Sequence, residues 1–177
     1  VRPWVNQAEG EHLIAFDEPT YDAYFSTNRE ANTHVLRFGY ESLTTPVSTY
    51  DYDMVARTRT LRKREEVLGA FDPSWYRAER LTATAPDGES IPISVVARVG
   101  TPRDGTNPVL LYGYGAYGIS TDATFDSARL SLLDRGFVFA IAHVRGGQEL
   151  GRRWYDEARL GRKQNTFTDF IACAERL

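Results

Sequence analysis

Two continuous apolar runs, separated by a glycine-rich segment and a helical pattern, constrain the fold of this chain more than any other feature. The runs cover residues 109–112 and 137–142, and such runs are typical of strands buried on both faces of a parallel sheet. Apolar residues at helical spacing lie between them, followed by a glycine where a helix C-cap belongs: Phe125, Ala128, Leu132, Leu133 and Gly136. The pattern predicts a βαβ unit of an α/β fold.

The segments on either side of this unit predict a hairpin and a helix. Strands over 76–85 and 90–99 flank Pro86-Asp87-Gly88, a turn sequence typical of hairpins. Near residue 166, Thr166 and Asp169 resemble a capping box at the start of a helix. The spacing predicts that one apolar face of this helix is buried, formed by Phe167, Phe170, Ile171 and Ala174.

Short strands separated by turns are predicted over roughly the first seventy residues. Apolar and polar side chains alternate over 36–41 and 50–54, and turn-like sequences lie at 28–32 and 44–46. This spacing is compatible with a sandwich, a barrel or propeller blades. The pattern of predicted elements changes after Phe71-Asp72-Pro73. The predicted domains are therefore 1–71, all antiparallel β, and 72–177, the start of an α/β domain.

Charge, hydropathy and cysteine content argue against several kinds of partner and site. A net charge of −3 gives no reason to expect nucleic acid or an anionic membrane as a partner. No apolar run approaches the ~20 residues of a membrane span. The single cysteine, Cys173, rules out an internal disulfide and a cysteine-based zinc site. It falls in the last predicted helix, with no histidine near it in sequence, and is expected to be a small packed residue rather than a nucleophile.

The glycine-rich segment Tyr112-Gly113-Tyr114-Gly115-Ala116-Tyr117-Gly118 admits two interpretations. As Gly113-x-Gly115-x-x-Gly118 it matches the dinucleotide fingerprint, with Arg145 as a contact for the 2′-phosphate of NADP. Against this, the acidic residue expected after the next strand is absent, and the helical pattern begins several residues after Gly118. Alternatively, it is the loop after the third strand of an α/β-hydrolase, which supplies a donor to the oxyanion hole. A tyrosine can supply that donor through its phenolic O–H.

Seven segments of the sequence resemble motifs of one protein family, and they occur in the same order as in that family. They are 14–19 (IAFDEP), 47–53 (VSTYDYD), 83–88 (ATAPDG), 112–118 (YGYGAYG), 127–136 (SARLSLLDRG), 141–151 (IAHVRGGQELG) and 163–170 (KQNTFTDF). Together they resemble the prolyl oligopeptidase family, in its oligopeptidase B branch. The first two resemble the last blades of that family's β-propeller, and the third resembles the first hairpin of its catalytic domain. The likeness covers essentially the whole chain.

The resemblance implies a β-propeller remnant followed by the N-terminal part of an α/β-hydrolase domain, in a cytoplasmic serine oligopeptidase. In this family a propeller caps the active site and admits only short peptides, and this branch cleaves after Lys or Arg. Short basic peptides are therefore the expected substrates, and no cofactor or metal is expected. The resemblance assigns the phenolic oxyanion donor to Tyr114, the second tyrosine of the loop.

The catalytic triad is expected to lie outside this sequence. No Gly-x-Ser-x-Gly motif occurs in the 177 residues, and in the family the nucleophile follows the last helix predicted here. The chain is thus expected to be an inactive piece of a longer polypeptide, with the remainder as its partner and with residues 137–142 forming an open sheet edge. A non-catalytic scaffold with a vestigial hydrolase part is a third hypothesis, beside the peptidase and the NADP-binding oxidoreductase.

Two further residues are candidate substrate contacts. Arg145, at the carboxyl edge of the predicted sheet, can bind substrate carboxylate or carbonyl groups, or can brace its loop through an ion pair. Asp122, beside the glycine loop, is a candidate acidic contact for cationic substrates. His143 ends a predicted buried strand and is interpreted as structural, because the resemblance places the triad histidine elsewhere.

Overall fold

The computed structural model of the protein describes the backbone of residues 4–7 and 10–177, and side chains from residue 11 onwards. It divides the chain into two compact units. The first comprises Val1–Pro73 with Ala123–Asp126, and the second Ser74–Asp122 with Ser127–Leu177. Residues 1–3 and 8–9, which belong to the predicted all-β portion, lie outside the described residues.

The first unit contains a four-stranded antiparallel meander and a separate two-stranded hairpin. The hairpin strands are β1 (Trp4–Gln7) and β2 (Gly10–Leu13). The meander follows chain order: β3 (Tyr21–Phe25), β4 (Val35–Ser42), β5 (Ser48–Asp53) and β6 (Thr58–Arg64). Both predicted turns fall between strands, at the β3–β4 and β4–β5 connections. One four-stranded sheet is the size of a single propeller blade.

Aromatic packing and one carboxylate hold the meander together. Phe38, Tyr40 and Tyr52 are buried, as the alternating pattern predicts, and they pack with Ile14 and Ala23. The carboxylate of Glu18 accepts hydrogen bonds from four hydroxyl groups, with oxygen–oxygen distances of 2.5–2.9 Å. These hydroxyls belong to Tyr40, Ser42, Thr44 and Thr45. This carboxylate therefore fixes the end of β4 and the turn that follows it.

The second unit is built on a mixed four-stranded sheet. Its strands are β7 (Tyr76–Thr84), β8 (Ser90–Arg98), β9 (Val109–Tyr112) and β10 (Val138–Ala142), in the spatial order β7-β8-β10-β9. The first two form the predicted hairpin, and β8 pairs antiparallel with β10. The last pair, β9 and β10, is parallel and is connected through helix α1 (Ser127–Leu133). The predicted βαβ unit is thus confirmed.

Helix α1 ends as its glycine predicts. Gly136 has φ 85°, in the left-handed region that favours glycine. Its N–H donates to the carbonyl of Leu133 at 3.0 Å, and the N–H of Phe137 donates to that of Leu132 at 3.2 Å. This pair of hydrogen bonds is a Schellman motif, which satisfies the carbonyl groups at the helix end and turns the chain into β10.

Strand order corrects two expectations about burial and edges. β10 is an internal strand, paired with β8 on one side and β9 on the other, so residues 137–142 do not form an open edge. The edge on this side of the sheet is β9, and its apolar residues Val109, Leu110 and Tyr112 are 42–49% exposed rather than buried on both faces. A four-residue apolar run does not reveal whether a strand has one neighbour or two, because the order of strands is set by the crossover connection.

The last helices also differ from expectation. Helix α2 covers Arg152–Asp156, and helix α3 covers Gln164–Arg176. The buried residues of α3 are Thr166, Asp169, Ala172 and Cys173. Of the predicted face, Phe167 and Ile171 are 55% and 54% exposed, Ala174 is also exposed and only Phe170 packs against the core. Polar residues occupy the inner face because they bind a buried arginine, described below.

The predicted capping box is absent for the same reason. Lys163 occupies the N-cap position of α3 without a side-chain cap, and both Thr166 and Asp169 direct their oxygens to residue 145 instead. In the described part of the chain, no helix combines the length and the apolar character that a membrane span requires.

Candidate active site

The glycine loop follows β9 directly and packs closely on the segment after β10. Gly115 and Gly118 have φ 63° and 67°, so both use the left-handed freedom of glycine. A Cβ on Gly115 would lie 2.5–2.6 Å from methyl groups of Thr166 and Val144. A Cβ on Gly146 would lie 2.0 Å from the carbonyl oxygen of Gly115. Gly115 and Gly146 therefore allow the glycine loop and the segment after β10 to pack closely against each other.

Backbone hydrogen bonds fix this packing. The N–H of Gly118 donates to the carbonyl of Gly146 at 2.9 Å, and the N–H of Gly146 donates to that of Trp154 at 2.9 Å. Trp154 is fully buried and its indole N–H donates to the carbonyl of His143 at 3.0 Å. The loop after β9, the segment after β10 and helix α2 are thus joined into one framework.

The three loop tyrosines point their side chains out of this framework. Tyr112, Tyr114 and Tyr117 are 49%, 44% and 81% exposed. Tyr117 has φ 56°, a backbone conformation that costs energy for a non-glycine residue. Tyr114 lies between Gly113 and Gly115, both of which contact the interior of the unit. A phenol at this position is accessible while its backbone is held on both sides.

Arg145 lies beneath the loop and is 3% exposed. Its Nε and Nη2 donate to the two oxygens of Asp169 at 2.9 and 2.6 Å, and Nη1 donates to Asp87 at 2.6 Å. The backbone N–H of Arg145 also donates to Asp169, at 3.0 Å. These hydrogen bonds, led by that with Asp169, raise the pKa of Arg145 above its ordinary value despite burial. The guanidinium thus connects β10, the β7–β8 turn and helix α3.

His143 is buried beside Ser94 in an arrangement that resembles a serine–histidine dyad. Its Nε2 lies 2.7 Å from Ser94 Oγ and 3.2 Å from Nη1 of Arg80. Because arginine only donates, Nε2 must accept, so its lone pair is engaged. Burial and the charge of Arg80 lower the pKa of His143 to about 3. Neither partner is accessible, since Ser94 is fully buried. This pair therefore serves packing rather than nucleophilic catalysis.

Two acidic residues lie near the far end of the loop. Glu149 accepts a hydrogen bond from the backbone N–H of Thr121 at 2.9 Å. Burial, with a contribution from nearby Asp122, raises the pKa of the Glu149 carboxyl. Asp122 itself is exposed. Sequence reasoning identified Asp122 and missed Glu149, whose burial depends on the fold of the segment after β10.

Helix α3 and its N-cap contribute three residues, of which the sequence analysis assigned Thr166 and Asp169 to a capping box and gave Lys163 no role. Lys163 donates from Nζ to the carbonyl of Gly115, and Thr166 donates to the carbonyl of Arg145 at 2.7 Å. With Asp169, these residues recur at every third position and so occupy neighbouring positions on the helix surface. This three-residue spacing of polar side chains is the sequence signal from which a polar inner face of the helix could have been predicted. Cys173, on the same helix, is fully buried, and burial raises the pKa of its thiol to about 12, as expected of a packed cysteine.

The geometry overturns the dinucleotide interpretation. Helix α1 begins at Ser127, nine residues after Gly118, so no helix N-terminus meets the loop. The guanidinium that would bind a 2′-phosphate is already paired with Asp169 and Asp87. The spaces that the fingerprint glycines would leave for pyrophosphate are filled by side chains, including those of Thr166 and Gln148.

Comparison with known sequences decides the relationship. The N-terminal β-propeller domain of prolyl oligopeptidase matches residues 2–65, and the prolyl oligopeptidase family profile matches residues 123–177. The chain belongs to the prolyl oligopeptidase family. Its first unit is accordingly part of a β-propeller, and its second is the N-terminal part of an α/β-hydrolase peptidase domain.

Individual members of the prolyl oligopeptidase family match nearly the whole chain. Dipeptidyl aminopeptidase BI of Pseudoxanthomonas mexicana is 47% identical over 175 residues, which is 98% of this chain and 24% of the relative. Protease 2 of Moraxella lacunata is 39% identical over 174 residues, 98% of this chain and 25% of the relative. The chain therefore spans about a quarter of the length of the curated relatives it matches.

A solved structure agrees in fold. Oligopeptidase B from Trypanosoma brucei, with covalently bound antipain and in a closed form, superposes with a TM-score of 0.89 at 41% identity. The match covers 99% of this chain and 26% of that structure. Fold and family were thus predicted correctly from the quoted sequence motifs.

Proposed function

We propose that this chain is part of a serine peptidase of the oligopeptidase B type, which hydrolyses short peptides after Lys or Arg through an acyl-enzyme. Residues 1–71 are the proposed end of the propeller, and residues 72–177 the proposed start of the peptidase domain. The nucleophilic serine and its aspartate and histidine are proposed to lie outside the 177 residues, since these contain no Gly-x-Ser-x-Gly motif. We propose a cytoplasmic location on the resemblance alone.

The observation that carries the proposal is the setting of Tyr114. Its side chain is accessible, and it follows a parallel strand at the carboxyl edge of the sheet, where α/β proteins bind ligands. Its glycine neighbours are packed against α3 and the segment after β10. A donor held in this way needs no reorganisation when charge develops on a nearby oxygen.

The chemistry proposed for Tyr114 is electrostatic stabilisation. When a serine attacks a peptide carbonyl, the oxygen acquires negative charge in the tetrahedral intermediate. The phenolic O–H of Tyr114 would donate to that oxygen, beside a backbone N–H supplied by the residue after the nucleophile. The covalent antipain adduct of the Trypanosoma brucei relative supports covalent chemistry in a closely similar fold.

The other two candidate residues have different support. The saturated ion pairs of Arg145 favour a bracing role over direct contact with substrate. Asp122 is exposed near the loop and remains the proposed acidic contact for cationic substrates, with the carboxyl group of Glu149 as its neighbour. Short basic peptides are the proposed substrates on this account and on the resemblance to the oligopeptidase B branch.

Steady-state kinetics of Tyr114→Phe in the complete enzyme tests the assignment. Loss of one oxyanion donor should lower kcat by roughly 10²–10³. KM should change much less, because the hydrogen bond strengthens as charge develops. Tyr112→Phe and Tyr117→Phe are matched controls, since they alter the same loop and remove the same group. Near-normal kcat in Tyr114→Phe, or an equal loss in all three variants, rules out the assignment.

The 177-residue chain by itself tests where the nucleophile lies. Without a nucleophile and base, only a modest acceleration from binding and oxyanion contacts remains. Purified chain should therefore leave an arginyl fluorogenic peptide unhydrolysed above background. Turnover that survives rigorous purification would refute the proposed location of the triad.

A second candidate activity is the release of dipeptides from free N-termini. The 47% identity with dipeptidyl aminopeptidase BI favours it specifically. Two fluorogenic substrates with arginine before the cleaved bond distinguish the candidates. One has a blocked N-terminus, and the other is a dipeptide with a free N-terminus. Cleavage of the blocked substrate supports the oligopeptidase, whereas cleavage of the free dipeptide alone supports the aminopeptidase.

A further inference from the structure

Lys163 is a half-buried cation that contacts carbonyl and hydroxyl oxygens instead of carboxylates. Its Nζ donates to the carbonyl of Gly115 and lies 3.0 Å from Thr166 Oγ1. Among the residues that the structure describes, no carboxylate forms a salt bridge with it. Burial lowers its pKa from the ordinary value, without an opposing contribution from a negative charge. Keeping an ammonium here therefore costs free energy, which its two oxygen contacts offset.

The carbonyl that Lys163 binds belongs to the residue after Tyr114. Gly115 has φ 63°, and Gly146 approaches its carbonyl so closely that no Cβ fits between them. Thr166 extends the contact, because its hydroxyl lies 3.3 Å from the Gly115 carbonyl and 2.7 Å from that of Arg145. One ammonium group thus holds the peptide bond between Gly115 and Ala116, one residue beyond the proposed oxyanion donor.

The choice of lysine is informative in this sequence. Of 21 basic residues, only Lys63 and Lys163 are lysines. An ammonium is compact and its three donors can point in different directions, whereas the planar guanidinium of arginine matches flat carboxylates. Two oxygens on different elements, as found here, suit an ammonium.

We infer that Lys163 is a positioning residue for the proposed peptidase reaction. By holding the Gly115 carbonyl, it fixes the backbone from which Tyr114 projects, so that the phenol is preorganised for the oxyanion. The inference rests on the proposed role of Tyr114 and adds a residue that acts through it. Lys163 itself touches neither substrate nor nucleophile in this scheme.

A double-mutant cycle in the complete enzyme tests this inference. Lys163→Met removes the ammonium and keeps a side chain of similar length. In the wild-type background it should lower kcat about tenfold or more, as expected for loss of a hydrogen bond to a charged group. KM should change little, because the loss concerns the transition state. In the Tyr114→Phe background the same substitution should lower kcat less than about twofold, because the group it positions is gone.

Two further variants make the result decisive. Lys63→Met alters the other lysine, which lies on the fully exposed strand β6, and should leave kcat unchanged. Lys163→Gln repeats the cycle with a polar side chain if the methionine variant does not fold, as judged by thermal unfolding.

The outcomes separate the two proposals. Equal losses of kcat from Lys163→Met with and without the Tyr114 hydroxyl would overturn the positioning role alone. A normal kcat in Lys163→Met would do the same. A normal kcat in Tyr114→Phe would instead overturn the proposed oxyanion donor, and the role of Lys163 with it.

Discussion

Arg145 and Asp169, 24 residues apart in the sequence, form a buried bidentate ion pair. Nε and Nη2 of Arg145 donate to the two carboxylate oxygens at 2.9 and 2.6 Å, and the side chains are 3% and 0% exposed. The same carboxylate accepts the backbone N–H of residue 145 at 3.0 Å. Helix α3 is thereby fastened to the segment that carries Gly146, and through it to the glycine loop.

Asp169→Asn should strongly destabilise the protein. The substitution leaves the buried guanidinium with Asp87, whose side chain is half exposed, and with Glu157 at 4.0 Å. Breaking one partner of a buried pair typically costs about 3–5 kcal/mol. The free energy of unfolding in urea measures the effect.

The Arg37–Asp51 pair supplies a matched control for this prediction. It has the same bidentate geometry, at 2.7 and 2.9 Å, but the Arg37 side chain is 48% exposed. Asp51→Asn should therefore cost less than about 1 kcal/mol. Similar losses from the two substitutions would contradict the view that burial makes the Arg145 pair important.

Gly146→Ala should disrupt the contact between the two loops. Gly146 has φ 107°, and an added Cβ would lie 2.0 Å from the carbonyl oxygen of Gly115. Backbone strain and overpacking together should cost about 2–5 kcal/mol of unfolding free energy. Gly100→Ala is the control, because Gly100 has φ 90° but open space around its Cβ position. It should cost only about 1–2 kcal/mol, and an equal cost at both positions would argue against the close approach.

His143 should make stability depend on pH. Its pKa is lowered from 6.5 to about 3 by burial and by Arg80, so the unfolded chain binds a proton in this interval that the folded protein does not. The contribution of His143 to the free energy of unfolding is therefore fully present above about pH 6.5. It falls as pH drops towards 3, by about 1.4 kcal/mol per pH unit. Urea unfolding between pH 4.5 and 7 measures this slope.

Substitution of His143 isolates its contribution from that of the carboxyl groups. His143→Gln keeps a polar side chain but cannot titrate, so its stability curve should be flatter than that of the wild type over the same interval. The raised pKa of Glu149 acts in the opposite direction in both proteins and cancels in the comparison. Parallel curves would show that His143 is not the titrating group.

The edge strand β9 should mediate association of the 177-residue chain. Its unpaired edge and its exposed apolar residues are features that promote pairing between chains. Leu110→Lys should reduce the growth of particle mass with concentration, as measured by sedimentation velocity. Leu68→Lys introduces the same charge at a 90% exposed position in the other compact unit and should have little effect. A wild-type chain that stays monomeric at all concentrations would refute the prediction.

The sequence alone was sufficient for the succession of elements and for the family. The hairpin around Pro86-Asp87-Gly88, the βαβ unit and the Gly136 helix end are local patterns, in which turn chemistry and side-chain periodicity act over a few residues. The motifs around Tyr114 and Arg145 are likewise contiguous, so the resemblance they carry could be recognised without coordinates.

Only the tertiary structure decided which of these residues meet. Whether a strand such as β9 lies at an edge depends on its neighbours, and the sequence does not encode them locally. Apolar periodicity chose the wrong face of α3, because Thr166 and Asp169 are polar residues buried by partners far away in the sequence. Burial of a polar group is favourable only when another element supplies its hydrogen bonds, and that condition exists only in the folded protein.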